Sequence, residues 1–215
     1  MRSIPEFSRS ITVNTHSSIR IAAEGKVIYV DPFELTEEPH DADLIFLTHD
    51  HFDHYSPKDI AKVRKPETAF VLPHSTAKLL TREFGVKKAL AVLPNERGEA
   101  EGIRFETIPA YNPQKHFHPR QNNWVGYVMI LEGVRVYVAG DTDATAEAEQ
   151  VRCDVALLPI GGTYTMDAAE AAALAGRIRP QLVIPIHYGS VAGSPSDYDR
   201  FCALTDRQIC VERRI

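Results

Sequence analysis

The chain has 215 residues, which is enough to bury a sizeable core within one domain. Hydrophobic residues make up 44% of the sequence and charged residues 25%, a balance typical of folded proteins that argues against wholesale disorder. The formal net charge of -5 disfavours a generic nucleic-acid binder, because phosphate backbones attract a basic surface.

The cysteines and the hydropathy of the sequence indicate the cellular compartment of the protein. The three cysteines are an odd number, and their spacing matches neither a zinc ribbon nor a CxxC pair, so we expect reduced thiols. The first ten residues, MRSIPEFSRS, lack the apolar stretch of a signal peptide, and no run approaches 18 apolar residues. We therefore predict a cytoplasmic protein with no membrane span.

Short apolar runs in the first half of the chain predict strands over residues 18–24, 26–31, 43–49 and 68–73. The run at 43–49, DLIFLTH, is continuously apolar, as expected of a strand covered on both faces. Ser56 followed by Pro57 predicts the start of a helix, and Gly85 predicts the end of a second helix over 74–85.

The second half of the chain changes from consecutive strands to an alternating pattern. Predicted strands cover residues 88–94, 102–110, 124–133 and 134–141. Strands at 154–160, 181–187 and 207–212 then alternate with helices at 166–178 and 194–204. This alternation is typical of α/β layering. No repeat or linker divides the sequence, so we expect a single domain over residues 1–215.

Residues 47–54, LTHDHFDH, contain three of the nine histidines directly behind an apolar run. Imidazole and carboxylate together suit zinc, iron or manganese, whereas the lack of nearby cysteine argues against a structural thiolate zinc site. If the strand continues, His49 and His51 share one direction, and the following turn can aim Asp53 and His54 at a second ion. The pattern therefore predicts a metal site.

Polar residues end three other apolar runs. Asp31 ends KVIYVD, Asp141 ends VRVYVAGD, and His187 ends QLVIPIH. Open α/β sheets place their ligands at the carboxyl ends of strands. These residues are therefore candidates to complete the site.

The segments VDPF, LTHDHFDH, VAGDTD, ALLPIGG and IPIHYG resemble those of the metallo-β-lactamase superfamily. Within it, the chain is similar to the compact branch of metal-dependent hydrolases that includes ascorbate-6-phosphate lactonase-like proteins. The similarity extends from about residue 11 to residue 190. It implies an α/β fold of the αββα sandwich type, two β-sheets flanked by helices, with a one- or two-metal site along one edge.

The resemblance also implies the ligands of one or two divalent ions, with zinc preferred over manganese, iron or nickel. They are His49 and His51 for the first ion, Asp53, His54 and His187 for the second, and Asp141 for both. Asp53 would in addition orient the attacking water and shuttle a proton, which makes it the catalytic candidate.

Two further residues match the family outside the ligand set. Asp31 matches an early aspartate that orients metal-binding imidazoles through hydrogen bonds. His16 matches a histidine of a G-H-S-type segment, although Thr15 stands where glycine is usual, and we expect it to line the site.

One motif departs from the family pattern. The family carries a histidine ligand in a P-A-x-H segment, whereas this chain has Asn112 after Pro109, Ala110 and Tyr111. An amide oxygen is a much weaker zinc ligand than imidazole. Either His116 or His118 of the polar loop 111–123 replaces the missing ligand, with His118 favoured, or the first metal is loosely held or absent.

Activation of water by a metal predicts hydrolysis of a small ester, lactone or phosphorylated metabolite. A metal-dependent phosphodiesterase and a non-catalytic metal-binding protein are the alternatives. Related di-iron redox proteins carry glutamate where this chain has His51, which argues against redox chemistry. The expected partner is a small-molecule substrate, without nucleic acid or membrane, and the oligomeric state is left open.

The remaining candidates near or outside the motifs are weaker. Thr142 and Tyr188 adjoin expected ligands and are candidates for contacts within the site. We assign no functional role to His40, His74, Trp124 or the cysteines.

Overall fold

The computed structural model of the protein describes residues 2–86 and 88–215. Two β-sheets lie face to face, and helices cover the outer face of each sheet. This confirms the predicted αββα sandwich.

The first sheet has six strands, in the order β1 (Ile11–Thr15), β2 (Ser18–Ala23), β3 (Lys26–Val30), β4 (Ala42–Phe46), β5 (Arg64–Pro73) and β6 (Ala89–Val92). The first three strands pair antiparallel, and the pairs from β3 to β6 are parallel. The turn between β2 and β3 contains Gly25 in the left-handed conformation, as expected of a hairpin.

The second sheet has seven strands, in the order β13 (Cys210–Val211), β12 (Leu182–Ile186), β11 (Val155–Pro159), β10 (Val134–Val138), β9 (Val125–Leu131), β8 (Ile103–Pro109) and β7 (Arg97–Ala100). Strands β7 to β10 pair antiparallel, and β10 to β13 are parallel. The predicted hairpin turn at Gly133 joins β9 to β10.

In the described part of the chain, five α-helices accompany the sheets: α1 (Ile4–Ser8), α2 (Pro57–Val63), α3 (His74–Phe84), α4 (Ala168–Ile178) and α5 (Ser196–Leu204). Helix α2 begins as predicted, since the Ser56 side chain accepts a hydrogen bond from the amide of Asp59. Helix α3 ends at Gly85, whose left-handed backbone suits a residue without Cβ. The longest helices in the described chain have 11 residues, too few to traverse a bilayer.

Strand β4 shows why its sequence is apolar throughout. Phe46 packs between the two sheets, where its ring centroid lies 5.5 Å from that of Phe105 and 4.9 Å from that of Tyr127. Ile45 instead packs on the outer face, with Ile60 of α2 and the other side chains under α2 and α3. Because successive side chains point to opposite faces, both faces of a covered strand need apolar residues.

Three elements were not predicted, and one boundary was wrong. Helix α1 has only five residues, and strands β1 and β7 are short with alternate exposed positions, so their apolar signal is weak. Strand β5 begins at Arg64 rather than at residue 68, because its polar first residues pair with β4 before the chain enters the core.

Candidate metal centre

The polar residues singled out in the sequence follow strands that end at the same edge of the sandwich. His16 follows β1, Asp31 follows β3, and His187 follows β12. The loop after β4 contributes the LTHDHFDH cluster, and the loop after β10 contributes Asp141. Strand direction therefore brings residues that lie far apart along the chain into one site.

A first group consists of His49, His51 and His118, whose candidate ligand nitrogens lie within 4.8 Å of one another. His49 and His118 are buried, with 1% of each residue exposed. His118 belongs to the polar loop after β8, and it lies where it could replace the imidazole missing from the P-A-x-H segment. His116, the other candidate of that loop, is exposed to solvent.

Asn112 holds His118 in place. Its side-chain oxygen accepts one hydrogen bond from the His118 backbone amide, at 3.1 Å, and a second from the ring nitrogen Nδ1, at 2.8 Å. The ring proton is therefore on Nδ1, and the lone pair of Nε2 faces the other imidazoles. Asn112 occupies the position of the histidine in the P-A-x-H segment, but its side-chain oxygen accepts hydrogen bonds from His118.

Replacing Asn112 by alanine is expected to weaken metal binding about 10- to 100-fold, the usual effect of removing a group that orients a metal ligand. Without the two hydrogen bonds to its oxygen, the His118 ring is free to rotate away. Calorimetric zinc titration of the metal-free protein measures this loss. Gln114→Ala, an exposed change in the same loop, is the control, and equal affinities of the two variants would contradict the assignment.

A second group consists of His16, Asp53, His54 and His187, again with candidate ligand atoms within 4.8 Å of one another. The Oδ2 atom of Asp53 lies 3.7 Å from Nε2 of His54 and 3.8 Å from Nε2 of His187. His16 is closer, since its Nε2 is 3.1 Å from the same oxygen and within hydrogen-bond distance.

His16 itself is fixed from its other side. Its Nδ1 atom lies 3.3 Å from the Ser190 hydroxyl, and its ring lies 3.9 Å from the ring of His187, centroid to centroid. Burial lowers the pKa of His16, so the ring is neutral at physiological pH. A serine that donates to Nδ1 leaves the proton on Nε2, which then donates to Asp53.

Asp141 lies between the two groups. Its Oδ2 is 3.3 Å from Nε2 of His118 and 3.0 Å from Nε2 of His187. The other carboxylate oxygen, Oδ1, is 3.2 Å from Nε2 of His54. One carboxylate thus touches imidazoles of both groups and could hold a metal ion together with either group.

Asp31 and Thr48 orient two of these imidazoles. Asp31 Oδ2 lies 2.7 Å from Nδ1 of His54 and accepts a hydrogen bond of 2.6 Å from the Thr48 hydroxyl. Because that hydroxyl donates to Asp31, it accepts from Nδ1 of His49, at 2.9 Å. Each Nδ1 is therefore occupied, and each Nε2 points into the site.

The charges in the group are arranged around His54. Burial alone would lower the pKa of His54, but the carboxylates of Asp141 and Asp31 outweigh burial and raise this pKa well above its ordinary value. Burial likewise opposes the ionised form of Asp141, yet His187 and His54 hold its pKa well below the usual range. Burial, reinforced by the charge on His54, keeps the pKa of His49 low, so His49 is neutral.

The donor atoms fit a divalent cation. Buried polar atoms are normally hydrogen-bonded, yet Nε2 of His49, His54, His118 and His187 and Oδ1 of Asp141 have no such partner within the described chain. Orphaned imidazole nitrogens that converge on a carboxylate are the ligand set that zinc, iron and manganese prefer. The described residues thus form a buried cluster suited to a metal ion.

Three residues of the site have left-handed backbone conformations. His16, Asp31 and His187 have φ values of 50°, 47° and 56°, a region that side chains with Cβ seldom adopt. The amide of His187 donates to the carbonyl of His16 at 3.0 Å, which ties the two loops together. Gly161 allows a close approach there, because a Cβ at this position would clash with the His187 carbonyl oxygen.

Two candidates lie outside the ligand cluster. The Tyr188 hydroxyl donates to the carbonyl oxygen of Ile215, so it faces the end of the described chain. The Thr142 hydroxyl accepts from the Tyr111 amide and thereby supports the loop that carries Asn112. Within the described chain, neither hydroxyl is hydrogen-bonded to a histidine of the two groups.

Trp124 and Ser190 are part of the site although the sequence analysis gave them no role. The Trp124 ring centroid lies 4.9 Å from that of His49, 4.8 Å from that of His51 and 5.6 Å from that of His118. Trp124 precedes an apolar strand, and its local sequence pattern is that of a residue of the hydrophobic core. No sequence signal therefore separates it from other buried aromatic residues.

Cobalt(II) is expected to quench the fluorescence of Trp124, because this single tryptophan packs directly against the first group of histidines. The quenching should saturate with occupation of that group and give its affinity. A fluorescence titration tests this, with His118→Ala as the variant that should lose the saturable signal. Identical titration curves for the two proteins would show that cobalt binds elsewhere.

Comparison with known proteins places the chain in a family. A model of the beta-lactamase superfamily domain matches residues 10–187. A UPF0173 metal-dependent hydrolase of Thermococcus onnurineus is 30% identical over 204 residues, covering 86% of this chain and 88% of the relative. Another, from Thermoplasma acidophilum, is 34% identical over 191 residues and covers 83% of each chain.

A solved structure of a similar protein supports the same family assignment. The crystal structure of a proposed metal-dependent hydrolase from Parabacteroides distasonis has a TM-score of 0.79 and 30% sequence identity, covering 95% of this chain and 91% of that chain. Because the family model and these relatives match most of the chain, the chain belongs to the metallo-β-lactamase superfamily and, within it, to the family of UPF0173 metal-dependent hydrolases.

Proposed function

We propose that this protein hydrolyses a small ester, lactone or phosphorylated metabolite by means of two divalent metal ions. The observation that carries the proposal is the position of Asp141, in contact with imidazoles of both histidine groups. The names of the relatives support metal-dependent hydrolysis. The resemblance to lactonase-like proteins supports lactones among the substrates.

Residues of both groups would hold the ions: His49, His51 and His118 the first, Asp53, His54 and His187 the second, and Asp141 both. Imidazole and carboxylate donors without cysteine favour zinc, with manganese, iron or nickel as alternatives. When bound, such ions lower the pKa of water toward about 7 and polarise the scissile carbonyl or phosphoryl oxygen.

Asp53 is the residue best placed to handle protons. It lines the cavity at the site, and its Oδ2 is fixed by the hydrogen bond from His16. Although burial opposes ionisation, that hydrogen bond and the neighbouring His54 keep the pKa of Asp53 below its ordinary value. An ionised Asp53 can therefore orient water, accept its proton and pass that proton to the leaving group.

His16 and Ser190 act through Asp53 rather than on the substrate. The Ser190 hydroxyl, the His16 ring and the Asp53 carboxylate form a chain of hydrogen bonds of 3.3 Å and 3.1 Å. This chain restrains the carboxylate to one orientation. Restraint of a reacting group lowers the entropy lost in reaching the transition state.

The cavity beside Asp53 and Asp141 has a volume of about 310 Å³, at the lower end of the range of ligand pockets. A cavity of this size supports a small molecule as the substrate. The partner we propose is accordingly a small-molecule substrate.

The test compares substrates on zinc-reconstituted protein: a lactone panel, p-nitrophenyl esters and bis(p-nitrophenyl) phosphate. We expect ester or lactone hydrolysis that is abolished by a chelator, restored by zinc and strongly reduced in Asp53→Ala. Preference for the phosphodiester would identify a phosphodiesterase instead. Tight zinc binding without any turnover would favour a non-catalytic metal-binding protein.

A further inference from the structure

The cavity at the metal centre has two kinds of wall. One wall consists of candidate ligands, among them His118 and Asp141. The rest of the lining includes a set of apolar side chains, which we call the apolar rim: Phe52, Phe117, Tyr164 and Val191. A molecule that reacts beside Asp141 therefore has these apolar side chains in the same cavity.

The rim is unusual because its side chains face solvent. Phe52 is 69% exposed, Phe117 44% and Val191 36%. They are three of the six large hydrophobic residues that are exposed within the described chain. Single exposed apolar residues need no explanation, but a cluster of them beside a polar site is typical of a ligand-binding surface.

Packing holds two of the rim aromatics in place. The Phe117 ring meets Tyr164 edge to face, with 4.7 Å between centroids and 85° between planes. Phe52 meets Phe33 in the same manner, at 6.1 Å and 75°. Such aromatic pairs are favourable beyond the area they bury. The rim is therefore formed before a ligand arrives, which lowers the entropy cost of binding.

Among the described residues that line the cavity, no lysine or arginine offers a positive charge to a negatively charged substrate group. Lys115, in the adjoining loop, is engaged at 2.6 Å with both the Asp143 carboxylate and the Thr165 carbonyl oxygen. Phosphate recognition ordinarily uses arginine or lysine side chains. A phosphorylated metabolite thus finds no counter-charge beyond the reacting centre.

We propose that the substrates are neutral carboxylic esters or lactones that carry an alkyl or aromatic group, which binds against Phe52, Phe117, Tyr164 and Val191. This inference rests on the proposed function and selects among its substrate classes. Hydrolysis breaks the acyl C–O bond, and water supplies the hydroxyl of the acid and the proton of the alcohol. The apolar group takes no part in that step, but its burial contributes binding energy.

Binding of alkyl hydroxamates to the zinc-loaded protein tests the rim without turnover, because hydroxamates bind zinc through one common head group. In calorimetric titrations from acetohydroxamate to octanohydroxamate, we expect affinity to rise about fourfold per added methylene until the cavity is filled. Phe117→Ala and Phe52→Ala should each reduce the octano-to-aceto affinity ratio at least about fivefold. Leu204→Ala, an exposed leucine on α5 outside the cavity lining, should leave that ratio unchanged.

Affinities independent of chain length, or tighter binding of a hydroxamate with a terminal phosphate, would overturn the inference while leaving the hydrolase proposal intact. A wild-type dimer that Phe52→Ala dissociates in analytical ultracentrifugation would also overturn it, since the rim would then be covered by a second copy. If the protein binds no zinc in the same calorimeter, the proposed function fails first and this inference fails with it.

Discussion

Replacing Asp141 by asparagine is expected to abolish hydrolysis, with kcat/KM falling by at least about 10³-fold and metal content falling with it. The carboxylate touches imidazoles of both groups, so its loss removes a ligand from each proposed ion. Asparagine keeps the shape of the side chain but supplies a neutral oxygen, which binds zinc weakly. The measurement is metal per chain by mass spectrometry, together with steady-state kinetics.

Asp50→Asn is the matched control. Asp50 lies within the LTHDHFDH segment but belongs to none of the clusters of candidate ligands among the described residues. We expect it to retain wild-type metal content and turnover. Circular dichroism of both variants separates loss of metal from loss of fold. If folded Asp141→Asn protein still held two ions per chain, the bridging assignment would be wrong.

Removing His118 should lower bound metal from two ions to one per chain and reduce kcat/KM by about 10²-fold or more. His118 completes the first group with His49 and His51, whereas the second group does not depend on it. The second ion should therefore persist in His118→Ala. Metal analysis and kinetics on the same preparation give the two quantities.

The adjacent histidine of the loop provides the comparison. His116 is exposed, so His116→Ala should behave as wild type in both measurements. The opposite pattern, with metal lost on replacement of His116 and kept on replacement of His118, would mean that the loop closes differently over the bound ion. The pair thus tests the arrangement of the loop as well as the identity of the ligand.

Much of the site could be predicted because strand direction and residue chemistry agree. Apolar runs that end in Asp31, Asp141 and His187 place those residues at one edge of the sandwich, and the same rule applies to the histidine cluster. The sequence favoured His118 over His116 but did not decide between them, because the choice depends on the path of an irregular loop. That path is fixed by the two hydrogen bonds to Asn112, which no periodicity encodes.

Residues that act through packing were harder to predict. Trp124 lies against three imidazoles that come from two separate loops, the one after β4 and the one after β8. Ser190 reaches His16 across a sequence separation of 174 residues, and nothing in its local sequence indicates that contact. Short elements such as β7 were missed because four residues carry too little pattern to distinguish a strand from a loop.

The left-handed backbone conformations of His16, Asp31 and His187 lower the stability of the fold while they position side chains of the candidate site. Each such residue stores on the order of 1–3 kcal/mol of conformational energy, which glycine would release. Glycine would relieve this strain but would also delete a buried group that has partners in the site, such as the Asp31 carboxylate, which is hydrogen-bonded to Thr48 and His54. The conformational cost is therefore inseparable from the geometry of the site.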